Sequence, residues 1–340
     1  MFGLGWLRAL TDARGLLEHA HHGVPRLGEG YTTDDNARAL LYLSLLPEGA
    51  RDEGLVRTYL AFLLHMQKED GRFRNGLTLD GRFEDEGEAE DPTGRAVLAL
   101  AAAQRLPPPY AGPAREALLR ALPALEGFTS LRGRAYALLG LLALPKEPFL
   151  EAAEALGEGL LRAFREAEPA WPYPGPLTYA NHHPVEALYA YGLAFRRQEA
   201  VALARRALAF LKEHYFTPGE EGLFFDPVGN RFMARGRDKP LFDQQPIEAK
   251  CALLAHLRFG ERVLAEVAFL WFHGRNRLRA PLVDAFGPMD GLTPHGPNQN
   301  RGAEALLAYL LAWQALVQGV FPQVDEGVAL GRVFALGGRP

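Results

Sequence analysis

Six short polar stretches, each running straight into an apolar segment of helical period, hold most of the side chains here that can move protons or bind hydroxyls. The first is Tyr31, Thr32, Thr33, Asp34, Asp35, Asn36 and Arg38. A capping box at a helix start needs only Thr32 and Asp35, which leaves Asp34, Asn36 and Arg38 in excess. In the second, Glu90 and Asp91 precede Arg95 by about one turn, close enough to share a face. The third has Ser130 as an N-cap and Arg134 in the first turn, where the helix dipole disfavours a cation, so a carboxylate or anion is expected beside it. The fourth joins Trp171, Tyr173 and Tyr179 to Asn181, His182 and His183; aromatic faces beside hydrogen bonders suit a pyranose, whose C–H face is apolar and whose hydroxyls need directed partners. In the fifth, Asp243, Gln244, Gln245 and Glu248 would be costly to bury without a ligand or a tight network. The last, Asn300, Arg301 and Glu304, ends a loop long enough to suggest function.

These residue types point to proton transfer by paired carboxylates. Asp35 is the first choice and Glu248 its partner, with Asp91 and Asp243 in reserve; inversion at a glycosidic carbon would set the pair roughly 6.5–9.5 Å apart. Arg38, Arg95, Arg134 and Arg301 could hold one carboxylate ionised or bind phosphate. His182 or His183 with Tyr179 would instead suit proton abstraction beside a carbonyl, as in an epimerase or lyase.

Several chemistries are disfavoured. The run "DDNAR" lacks the third Asp of a DDxxD magnesium site, and "His19-Ala-His21-His22" has no acid or Cys spaced to complete a metal site. With no P-loop, nucleophile elbow or dinucleotide glycine pattern, neither cofactor nor metal is expected. A net charge of −4 with scattered Lys and Arg offers no footprint for nucleic acid or a membrane surface. The single Cys251, inside an apolar helical run, reads as a buried small hydrophobe. Arg8 and Asp12 interrupt the N-terminus too early for a signal-peptide core, and no apolar run is long enough to span a membrane, which predicts a cytoplasmic protein. The scarcity of Asn, Met and Cys suits a thermophile.

The elements that must position these residues are helical. Roughly eleven segments carry the helical apolar period, and "GWLRALTDARGLLEHA" can supply a twelfth. Every second one follows a polar loop, with starts near Asp34, Pro92, Leu131, Pro184, Pro246 and Arg301, at steps of about 58, 39, 53, 62 and 55 residues. Pro92, Pro184 and Pro246 are expected at first helical positions. Six helical hairpins closed in a ring predict an all-α (α/α)6 toroid whose six polar helix starts converge on one mouth, where free N–H groups and positive dipole ends can build a pocket. Phe224–Phe225 and Phe232–Met233 suggest a small β-hairpin over that mouth. No composition shift divides the chain, so residues 1–340 read as a single barrel domain. The acidic segment from Glu84 to Asp91 reads mostly as a solvated loop.

Taken together and in order, "GYTTDDNARAL", "EDPTGRAVLAL", "LTYANHHPVEAL", "FDQQPIEA" and "NQNRGAEALLAYLLA" resemble a bacterial glycosyltransferase-associated family of the six-hairpin glycosidase-like group. The resemblance implies the (α/α)6 toroid and carbohydrate as substrate. Proteins on this toroid hydrolyse or phosphorolyse glycosides, eliminate across uronic acids or epimerise amino sugars. The leading expectation is a two-carboxylate glycoside hydrolase acting on an oligosaccharide or glycoside. A phosphorylase, epimerase or lyase is the alternative enzyme, and a glycan-binding partner of a glycosyltransferase the non-catalytic one.

Overall fold

The computed structural model describes residues 3–84, 90–144 and 146–319. The acidic stretch 85–89 therefore lies outside the described residues. Twelve α-helices occur among those described: α1 (Leu4–Ala9), α2 (Thr33–Leu45), α3 (Glu53–Met66), α4 (Glu90–Ala102), α5 (Pro108–Ala121), α6 (Leu131–Leu141), α7 (Phe149–Arg165), α8 (His182–Ala194), α9 (Gln198–Tyr215), α10 (Pro246–Arg258), α11 (Arg262–Leu270) and α12 (Ala303–Gln318).

The even-numbered helices pack side by side in the order α2, α4, α6, α8, α10, α12 and back to α2, closing a ring. Helices α3, α5, α7, α9 and α11 each lie outside the inner helix that precedes them, and α1 packs on α12. The fold is an (α/α)6 toroid. Burial explains the division of labour. Outer helices such as α7 bury one stripe, Leu150, Ala153, Leu156, Leu160, Leu161 and Phe164, whereas α2 is buried from Asp35 through Leu45 without interruption. The tightest seam runs between α4 and α6: a Cβ on Gly94 would lie 2.4 Å from the Gly133 carbonyl oxygen, so glycine permits near contact of the two backbones.

Local chemistry sets the helix starts. Thr32 caps α2 by accepting the Asp35 N–H at 3.2 Å, and Ser130 caps α6 by accepting from Gly133 at 3.1 Å. Pro246 opens α10 as expected. Pro92 and Pro184, however, stand third in α4 and α8, still within the turn whose N–H groups have no helical partner.

Two expectations fail locally. The segment read as a first long helix is helical only over Leu4–Ala9, because Gly15 is pressed against the Asn36 and Phe62 side chains and the following residues bridge to Tyr31. The β-hairpin pairs Phe216–Gly219 with Gly222–Phe225, while Met233 bridges to Leu177 instead. The described residues also hold small antiparallel pairings at Ala20–His21 with Val24–Pro25, Gly76–Leu77 between Tyr31–Thr32 and Phe83–Glu84, Val283–Asp284 with Gly287–Pro288, and Gly291–Thr293 with Gly296–Asn298. Cys251 is buried, as its surroundings predicted. No helix among the described residues is long and apolar enough to cross a membrane.

Candidate active site

A cleft of about 280 Å³ opens at the starts of α2 and α12, bordered by Gln245 just ahead of α10. Its wall carries five carboxyl groups, Glu18, Asp34, Asp35, Asp290 and Glu304, together with Arg38, His19, Thr32 and Asn75. Arg38 organises them. Its Nη1 donates to Asp35 Oδ1 at 2.5 Å, and its Nη2 lies 3.4 Å from Glu304 and 3.8 Å from Asp34. Asp34 in turn stands 3.3 Å from Arg95 Nε, so charges alternate along the floor. Asp35 also accepts the Thr32 hydroxyl at 3.0 Å. Burial raises the Asp35 pKa, with Arg38 opposing and Glu304 and Asp34 adding to the rise.

Glu18 is held by its backbone, which donates to Gly30 and accepts from Ala303 at the start of α12. Asn36 fixes the chain just before it, accepting the Leu16 N–H at 2.9 Å and donating to the Leu16 carbonyl at 3.3 Å. Asn36, fully buried, thus clamps this chain and does not line the cleft. The Glu18 side chain is one-third exposed, 3.4 Å from His19 Nε2. Burial, reinforced by Asp35, pushes its pKa up to about 7. Asp290 is raised by burial too, although the Gly302 N–H, at 2.5 Å, opposes this.

The other expected site residues belong to separate networks. Asp91 accepts from Ser130 Oγ at 2.6 Å, Arg132 Nε at 2.8 Å and the Tyr179 hydroxyl at 2.9 Å. Burial would raise its pKa, but Arg132 and Ser130 bring it below the usual range. Arg132 also lies 3.9 Å over the Tyr179 ring. Glu248 is not part of the cleft wall: it accepts the Ala180 N–H and has its pKa pushed up to about 8 by burial, with Glu304 adding to the rise and that N–H, Tyr215 and Arg132 opposing it. Asn181 spans Thr178 N and the Tyr215 hydroxyl. Asp243 is exposed, with φ 59°.

Several expected ligand contacts serve as struts. Tyr31 donates to Asp12 at 2.5 Å, and Gln244 links Asp226 to the Trp271 indole. Arg301 holds Asp284 at 2.8 Å and the Gly287 carbonyl, and Asn300 accepts the His22 N–H at 3.2 Å. Arg134 needs no anion, since it donates to the Phe128 and Gly159 carbonyls on the outer side of α6. The Trp171 ring packs on Phe210 and His214 of the outer helix α9. His182 is enclosed by Tyr215, Phe225 and His256, and burial holds its pKa well below the usual value. His183 packs 4.2 Å from the Tyr136 ring, its pKa lowered by burial to about 4 despite Glu186. Neither histidine lines the cleft. No group of three or more His, Cys, Asp or Glu side chains among the described residues is placed to hold a metal ion.

Glu18, Asn75 and Asp290 are the cleft residues that sequence reasoning did not single out. Glu18 looked like one more polar position of a helical repeat; Asp290 stood in the last polar loop without a helix start to mark it.

Compared with known proteins by sequence, the chain matches no family model and no curated protein. By structure it is similar to D-mannose isomerase, with a TM-score of 0.68 at 11% identity over 93% of this chain and 95% of that one. Cellobiose 2-epimerase from Bacillus thermoamylovorans B4167 gives a TM-score of 0.68 at 9% identity, covering 91% of this chain and 95% of that one. The GH76A α-1,6-mannanase from Salegentibacter sp. HEL1_6 gives 0.60 at 13% identity, covering 93% and 98%. The fold shared with these structures is the (α/α)6 toroid. At such identities the likeness speaks for the fold alone.

Proposed function

We propose that this protein is a carbohydrate-active enzyme that cleaves glycosidic bonds in the cleft at the starts of α2 and α12. The observation that carries this reading is one wall bearing Glu18, Asp35 and Glu304, with Arg38 bridging the last two. Glu18, about half of it still protonated at neutrality, donates its proton to the glycosidic oxygen as the C–O bond breaks. Glu304, 40% exposed and paired with Arg38, accepts a proton from the water whose oxygen attacks the anomeric carbon. Asp35 is buried against Arg38; it orients the guanidinium and helps keep the proton on Glu18. Asp91 and Glu248 stabilise neighbouring loops in this scheme.

His19 favours a second reading. It stands on the same wall beside Glu18, a pair able to move a proton next to a sugar carbonyl, and two of the similar folds are a sugar isomerase and a sugar epimerase. Kinship with the glycosyltransferase-associated group, and a glycosyltransferase as partner, rest on the five ordered motifs. The test is product analysis over a panel of oligosaccharides, with and without inorganic phosphate. New reducing ends support hydrolysis, sugar phosphates support phosphorolysis, and an altered sugar at constant chain length supports the His19 reading. Saturable sugar binding without turnover would reject both enzymatic readings in favour of a binding protein.

A further inference from the structure

Inside the ring, a narrow cavity of about 40 Å³ is walled by Arg38, Arg95, Tyr136, His183, Glu186, Lys250 and Arg258 among leucines of the inner helices. That is space for the centres of about three water-sized atoms. Arg38 also lines the cleft, so the two spaces meet at its side chain.

Most polar groups around this cavity are donors, with Glu186 the one carboxylate in its wall. Arg95 is 4% exposed; its guanidinium lies 4.2 Å over the Tyr136 ring, and its Nη1 has no hydrogen-bond partner. The buried Tyr136 hydroxyl has none either, nor has His183 Nε2. Lys250 is 4% exposed, its amine 6.0 Å from the Tyr136 ring centre. No carboxylate is paired with it among the described residues. The nearby acids are paired with other cations: Asp35 with Arg38, Asp34 with Arg95, and Glu186 through one oxygen with Arg258 at 2.9 Å, its other oxygen standing 3.2 Å from His183 Nδ1 without a hydrogen bond. Burying polar donors and a cation without compensation is unfavourable, and donors gathered round an oxygen-sized space favour negative charge.

We infer that this cavity binds a compact oxyanion, held by Lys250, Arg95 and the Tyr136 hydroxyl at the foot of the cleft. The anion is either inorganic phosphate or the anionic group of a sugar. The sugar form rests on the function proposed above, whereas binding of phosphate does not. Buried waters are the competing occupant; they would satisfy the donors without leaving any affinity for anions.

The experiment is thermal unfolding at constant ionic strength, titrating inorganic phosphate, glucose 6-phosphate and glucuronate against a chloride control. It is repeated on Lys250→Met and Tyr136→Phe. A ligand that binds only the folded state raises the melting temperature with concentration. Wild type is expected to be stabilised by at least one of these anions. A response to phosphate identifies the free ion as sufficient; a response confined to the sugar derivatives assigns the charge to the substrate. Lys250→Met is expected to melt above wild type without anion, having lost a buried amine with no carboxylate partner, yet to bind at least about tenfold more weakly. Tyr136→Phe, a smaller perturbation, is expected to weaken binding in the same direction. Failure of every anion to move the wild-type transition would overturn the inference, as would unchanged affinity in Lys250→Met. Anion binding in a protein that turns over no glycoside would sink the proposed reaction and leave this inference standing.

Discussion

Replacing Glu248 with Gln tests whether this buried carboxyl is a neutral strut. Its pKa is pushed from the ordinary 4.5 to about 8 by burial, while the Ala180 N–H and Tyr215 pull the other way. Below pH 4.5 both the folded and the unfolded chain hold the proton, and the contribution to stability is whole. Between 4.5 and 8 the unfolded chain releases it and the folded chain keeps it, so the folding equilibrium loses a factor of about ten per pH unit. Above 8 the loss is complete and amounts to roughly 5 kcal/mol at most. Gln preserves the oxygen that accepts from Ala180 and removes the ionisation. The Glu248→Gln protein should therefore gain on wild type by roughly 3 kcal/mol between pH 5 and pH 7, read from urea unfolding at each pH. Taking the difference between the two proteins cancels other groups that titrate in the window, Glu18 among them. Parallel stability curves, or a variant that loses ground as pH rises, would refute the reasoning.

Three further outcomes follow from other parts of the molecule. Since Glu18 must carry its proton to act, kcat/KM should be held below about pH 7 and fall above it; Asp35→Asn removes a charge that raises the Glu18 pKa and should move that fall to lower pH, measured as a pH–rate profile. Gly94→Ala would set a Cβ 2.4 Å from the Gly133 carbonyl oxygen, which is backbone and cannot swing aside, so denaturant unfolding should show a loss of about 1–3 kcal/mol. Asn36→Ala leaves the buried Leu16 N–H and carbonyl unpaired, costing about 1–3 kcal/mol, and loosens the chain that carries Glu18. Turnover should drop in that variant even at temperatures where circular dichroism shows it folded, and unchanged kcat would contradict the clamp.

The ring of inner helices was legible because two independent signals coincide at each start, an apolar period of helical spacing and a polar capping stretch. Leu131 and Pro246 are the first residues of α6 and α10, and the other inner starts fall within two residues of expectation. The N-terminal segment misled because helical spacing alone cannot register that Gly15 must approach Asn36 and Phe62. In the hairpin, Phe224 and Phe225 were correctly placed in a strand; their partner Phe216–Gly219 follows directly on the helical run of α9, which masked it.

At the site, Asp34, Asp35, Arg38, Gln245 and Glu304 share the cleft, as their positions at helix starts implied. Side-chain direction there was not legible. Glu248 turns to the Ala180 N–H, and Asp91 turns to Ser130 and Arg132, because each carboxylate follows the nearest donors on a neighbouring loop, and those neighbours are tens of residues away in sequence. Arg134 illustrates the same limit: two backbone carbonyls meet the need that was assigned to an anion. Glu18 escaped notice because its place in the cleft depends on α12 folding back against a segment almost the whole chain away.

The most direct test of the central claim is turnover of an oligosaccharide substrate by Glu18→Gln, followed by NMR of the products. Wild type is expected to cleave the glycosidic bond, and the variant to lose about 10²–10⁴-fold in kcat with substrate binding retained. Cleavage at the wild-type rate by Glu18→Gln would contradict it.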